Sequence, residues 1–69
     1  MSKRDKLRIE ITGSTAAVAT GDILLGDEKC GWMQLYIGEP GRRMARRLRK
    51  AGVEIIFPNY TKSAKSKLE

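Results

Sequence analysis

Polar and hydrophobic residues alternate strictly along residues 6–12, with Leu7, Ile9 and Ile11 on one side and Lys6, Arg8, Glu10 and Thr12 on the other. A period of two predicts a half-buried strand, because successive side chains of an extended chain leave on opposite faces. Gly13-Ser14 read as the turn that ends it. "TAAVAT" and "DILL", separated by Gly21, form either one bent strand or two short pieces, and the alanines also permit a short helix. The polar "GDEK" (26–29) predicts another turn, and the glycine-bounded "GWMQLYIG" (31–38) another strand, with Met33, Leu35 and Ile37 on one face and Trp32, Gln34 and Tyr36 on the other.

At Glu39-Pro40 the period changes to that of a helix. Pro40 suits a first-turn position, where its missing N–H costs nothing, and Gly52 suits the left-handed residue that closes a helix. On a helical projection, the six cations Arg42, Arg43, Arg46, Arg47, Arg49 and Lys50 share an arc of about 160°, while Gly41, Met44, Ala45, Leu48 and Ala51 fall on the other side. "VEIIFP" then predicts a last strand with Val53, Ile55 and Phe57 inward, stopped by Pro58.

The remaining "NYTKSAKSKLE" has no apolar period. It reads as a flexible basic tail over 61–69, behind a single small α+β domain over 1–60. Its Leu68-Glu69 read equally as natural chain or as an appended remnant.

The order β-β-β-α-β predicts an α+β fold. Three or four strands form a small, mostly antiparallel sheet, one amphipathic basic helix packs on one face, and the helix returns the chain so that the last strand runs parallel to the first or third. One helix covers only one sheet face. The other face, or a sheet edge, is left for solvent, a partner or a homodimer.

Composition narrows the class. At 69 residues the chain can bury only about 60% of the surface it exposes when unfolded. Cys30 is the sole cysteine, which excludes an internal disulfide and fits a reducing, cytoplasmic setting. No apolar block has the length of a signal peptide or a membrane span. The net charge of +6 is uneven: residues 1–10 carry +2, residues 11–40 carry −3, and residues 41–69, with nine bases and two acids, carry +7. A polyanion is therefore the expected partner class.

The helix concentrates that charge. Five of its six cations are arginines, whose forked donors match phosphate better than lysine does, and no acid lies between Arg42 and Lys50 to pair with them. Like charges at i and i+4, as in Arg42/Arg46 and Arg43/Arg47, repel by a few tenths of a kcal/mol each, so an external anion would relieve them. A solvated face is the plainer alternative. A second surface, Lys6, Arg8, Trp32, Gln34 and Tyr36, interleaves bases with aromatics and resembles a stacking platform for unpaired bases or a partner-binding face, unless Trp32 and Tyr36 turn into the core instead.

Other chemistry fails on residue type. The Gly21/Gly26 pair has a phosphate loop's spacing, but Asp27 and Glu28 stand where Lys and Ser or Thr are needed, so both glycines read as turn residues. Without histidine neither Ser-His nor Cys-His catalysis can be assembled, and the common zinc ligands are missing. Cys30 beside Lys29 reads as an inert thiol and Asp27-Glu28 as polar turn residues. The apolar side of the helix lacks the aromatic or repeated Leu residues that insert into lipid, so no membrane partner is expected. No metal, cofactor or enzymatic activity is expected either.

The expectation is a non-enzymatic nucleic-acid-binding accessory protein, acting through Arg42, Arg43, Arg46, Arg47, Arg49 and Lys50 with help from Lys62, Lys65 and Lys67. The nucleic acid, DNA or RNA, is unspecified. The alternative is a protein-binding module or small inhibitor that docks on an acidic protein through the same helix or the open sheet face.

Overall fold

The computed structural model describes residues 6–68; residues 1–5 and Glu69 lie outside them. The strands β1 (Leu7–Ser14), β2 (Val18–Leu25), β3 (Glu28–Tyr36) and β4 (Glu54–Ile56) form one sheet in the order β3-β2-β1-β4, and helix α1 (Glu39–Lys50) joins β3 to β4. Neighbours are antiparallel except β1 and β4, which run parallel. This is the expected α+β arrangement, with the helix crossing over the sheet to return the chain.

Local chemistry explains where the strands end. β1 does not stop at Gly13-Ser14: a bulge at Thr12 shifts the register between Ile11 and Gly13, and the strand continues to Ser14. The turn falls at residues 15–17 instead, where the Thr15 hydroxyl accepts from the amides of Ala17 and Val18, each at 3.2 Å, so its side chain replaces a backbone partner. β2 is one continuous strand. Gly21 lies inside it rather than in a turn, and a Cβ there would come within 2.8 Å of the Ile9 Cγ2 methyl. Gly26, at φ 64, opens the hairpin to β3, a conformation that glycine adopts without steric cost. β3 starts at Glu28, earlier than the pattern implied, with Cys30 as the unpaired residue of a second bulge.

One sheet face is covered. Ile9, Ile11, Ala19 and Leu35 are buried on it, and Met33, Ile37, Leu48, Ile55 and Phe57 pack around them. Pro40 sits in the first turn of α1, as the sequence predicts. At the other end, the Gly52 amide donates to Arg49 O at 3.0 Å and the Val53 amide to Leu48 O at 2.9 Å, with Gly52 at φ 93. That pairing is a Schellman motif, and it turns Val53 back into the core. Gly41 lies so close over the end of β3 that a Cβ would overlap the Tyr36 carbonyl oxygen.

Residues past Pro58 correct the expectation of a flexible basic tail. Residues 59–61 form a 3-10 turn, in which the Thr61 hydroxyl donates to Pro58 O at 2.8 Å, and α2 (Lys62–Leu68) follows against α1. Ala64 and Leu68, one helical turn apart, are buried, and Leu68 is among the largest fully buried side chains. Two small apolar contacts four residues apart are too few to register as a period in sequence, yet they place α2 on the core. Leu68 is a core residue.

Candidate nucleic-acid interface

α1 buries Gly41 and Ala45 and half-buries Leu48. Met44 and Ala51, expected on the same apolar side, are exposed instead, Met44 by 46%. α2 contributes Leu68 against Gly41, so the buried stripe of α1 centres near Gly41 and leaves Met44 at its margin.

The six cations divide. Arg43, Arg46, Arg47 and Lys50 line one open concavity floored by Ala51. They recur at i, i+3, i+4 and i+7, which places them within an arc of about 100°. No ion pair or hydrogen bond engages any of the four among the described residues.

Arg42 and Arg49 lie at the border with the buried stripe. Arg42 is partnered within the fold: its Nε donates to Lys67 O at 3.1 Å, and its guanidinium lies 4.0 Å from Glu39. Lys62, Lys65 and Lys67 are exposed on α2, which flanks α1. Nine expected contacts thus become a compact group of four on α1, two border arginines and three lysines on a neighbouring helix.

The open sheet face carries the second group only in part. Trp32 and Tyr36 do project outward, 64% and 68% exposed, with Gln34 between them. Arg8 does not join them. Its guanidinium is drawn to the β2–β3 turn, 2.7 Å from Gly26 O and 3.4 Å from the Asp27 carboxylate. Lys6 precedes β1, and its carbonyl accepts from the Gly26 amide at 3.1 Å.

Trp32 has acidic neighbours, whereas Tyr36 stands opposite Val18. Asp22 is the direct cross-strand neighbour of Trp32 and Glu10 that of Asp22, while Glu54 pairs with Arg8 on the same face. Lys29 reaches Asp22 at 3.4 Å and offsets one of these charges. The sequence contains the signal in the alternation of Glu10 and Asp22 with aliphatics, but only the register brings the two carboxylates side by side.

Among the described residues, no three Cys, Asp or Glu side chains gather as a metal site, and no helix is long and apolar enough to cross a membrane. Cys30 is exposed, its thiol 3.6 Å from Glu28 O. Comparison with protein-family models, curated proteins and solved structures finds no match. The functional reading therefore rests on geometry and charge.

Proposed function

We propose that this protein is a small, non-enzymatic nucleic-acid-binding accessory factor that contacts phosphates through Arg43, Arg46, Arg47 and Lys50. The observation that carries the reading is their convergence on one concavity with no carboxylate paired to them among the described residues. Such a face repels itself, and phosphate oxygens accepting forked guanidinium bonds relieve that repulsion. Lys62, Lys65 and Lys67 extend the positive field alongside, and a cytoplasmic setting belongs to the same reading.

Paired nucleic acid suits the site better than single strands. No aromatic lines the concavity formed by the four cations, and the sheet face that carries Trp32 also carries Glu10 and Asp22, which repel phosphate. An α-helix also fits the width of a duplex major groove. With about four phosphates neutralised, log K should fall against log salt with a slope of about −3.6.

Fluorescence anisotropy with labelled duplex and single-stranded DNA and RNA across a salt series tests this. Salt-steep binding that prefers duplex and disappears when Arg43, Arg46 and Arg47 are replaced together by Ala is the expected result. Absence of binding at low salt, or indifference to the triple replacement, overturns it.

A second reading has its own support in Met44, exposed beside Arg43 and Arg47. An adaptable apolar side chain rimmed by cations also fits an acidic protein surface. Partners that survive nuclease treatment of a lysate, combined with no nucleic-acid binding, would favour that reading.

A further inference from the structure

The two edges of the sheet are not alike. β4 has only three residues and is followed by Phe57-Pro58 and the 3-10 turn, a short edge closed by a residue that cannot donate to a ladder. β3, at the other edge, runs for nine residues, and no further strand among the described residues pairs with it. Residues 30–38 carry no charge in a chain of net +6. Edge strands of folded proteins are normally protected by charge, proline or shortness. β3 has a bulge at Cys30, which is another such device, but from Gly31 to Leu35 it carries neither charge nor proline.

The backbone phase of that edge can be read directly. The Ile37 amide donates to Ala17 O at 2.8 Å, toward β2. The register between β2 and β3 is regular from Gly31 onward, so the amides of Leu35 and Met33 also point toward β2, and those of Gln34 and Trp32 point to the free edge. At Tyr36 the carbonyl is covered by the first turn of α1 through Gly41. The open stretch is therefore short and defined, with both backbone groups of Trp32 and Gln34 at its centre.

We propose that β3 pairs antiparallel with β3 of a second copy of this chain, giving a two-fold dimer with one continuous sheet. Placing Met33 on the two-fold sets Trp32 of each copy opposite Gln34 of the other, and each such pair exchanges both its backbone hydrogen bonds. The two indoles become diagonal neighbours on the open face, within reach of one another. No residue of this stretch is charged in either copy, and Asp22, the nearest acid, lies one strand back on β2. A second copy fits this edge better than a foreign strand because the same uncharged, apolar segment supplies both partners.

A two-fold perpendicular to the sheet leaves both copies of α1 on the same side. The pairing stands without the nucleic-acid reading, but its consequence rests on it: two basic helices would then present a doubled phosphate-binding surface. The two helices also repel each other. Added salt should therefore strengthen the dimer while weakening nucleic-acid binding, so the two claims fail separately.

Sedimentation equilibrium over a concentration series at low and high salt, with amide hydrogen exchange at the two ends of the series, tests the proposal. The expected result is a species of twice the 7.7 kDa chain mass, favoured by salt, in which the Trp32 and Gln34 amides become at least tenfold more protected as the dimer forms. Gln34→Pro, which removes an outward N–H and the long side-chain bond to Thr20 at 3.5 Å but no backbone bond to β2, should weaken association at least tenfold, with Gln34→Ala, which loses the same side-chain bond and keeps the N–H, associating normally; if the proline variant does not fold, exchange in the unaltered protein still decides. A chain that stays monomeric leaves the edge to solvent or to a foreign strand and overturns the proposal. So does a dimer in which those two amides remain unprotected.

Discussion

The guanidinium Nε of Arg42 donates to the carbonyl oxygen of Lys67 at 3.1 Å, tying the first turn of α1 to the last turn of α2. An arginine at the end of a helix satisfies a carbonyl that has no partner within that helix. The same interaction gives Arg42 a partner within the fold, unlike Arg43, Arg46, Arg47 and Lys50 among the described residues.

Arg42→Ala should therefore separate stability from binding. The expected loss is about 1 kcal/mol, that of a single hydrogen bond, read from the midpoint of urea unfolding, with the salt dependence of nucleic-acid binding nearly unchanged. Arg46→Ala should do the reverse, flattening the salt slope by about one unit while leaving the midpoint in place.

Leu68, five residues beyond Ser63 in a stretch that looks like a polar tail, is 1% exposed. Leu68→Ala should cost about 2–5 kcal/mol, the usual result for deleting a buried Leu side chain. In a domain of this size that approaches the whole stability. Thermal unfolding followed by circular dichroism checks it, and an unchanged melting temperature would show that α2 does not dock. Lys65→Ala, on the exposed side of the same helix, should have little effect.

Gly41 and Gly31 make a matched pair. A Cβ at Gly41 meets the Tyr36 carbonyl and the Leu68 Cδ2 methyl, whereas one at Gly31 meets nothing within 4 Å. Gly41→Ala gains about 1 kcal/mol of helix propensity but must displace backbone at the junction of β3 and α1. Overpacking typically costs about 1–3 kcal/mol, so net destabilisation is expected in denaturant titration. Gly31→Ala should be neutral or stabilising by about 0.5 kcal/mol.

Glu10 and Asp22 face each other across β1 and β2. Like charges in direct cross-strand register are destabilising, and opposite ones contribute about 0.2–1 kcal/mol. Glu10→Lys should raise the unfolding midpoint accordingly, and added salt should shrink the gain. No stabilisation at low salt would mean that the two carboxylates are held apart.

Though silent on the second helix and on the continuity of β2, local pattern alone indicated the β-β-β-α-β order as far as Pro58, the inward faces of β1 and β3, and the placement of α1 between Pro40 and Gly52. Each of these depends on neighbours a few residues away, through the alternation of a strand, the repeat of a helix or the backbone freedom of glycine. The turn at Thr15 was hidden, because Gly13-Ser14 looks like a turn and a threonine hydroxyl cap does not.

Tertiary structure decided what depends on residues far apart in the chain. It placed Leu68 in the core and drew Arg42 to Lys67, 25 residues away. It turned Arg8 to Gly26 and set Asp22 beside Trp32. Six cations on one helix are visible in a sequence. Which four remain without a partner among the described residues depends on a second helix and on packing at Gly41, and neither leaves a periodic trace.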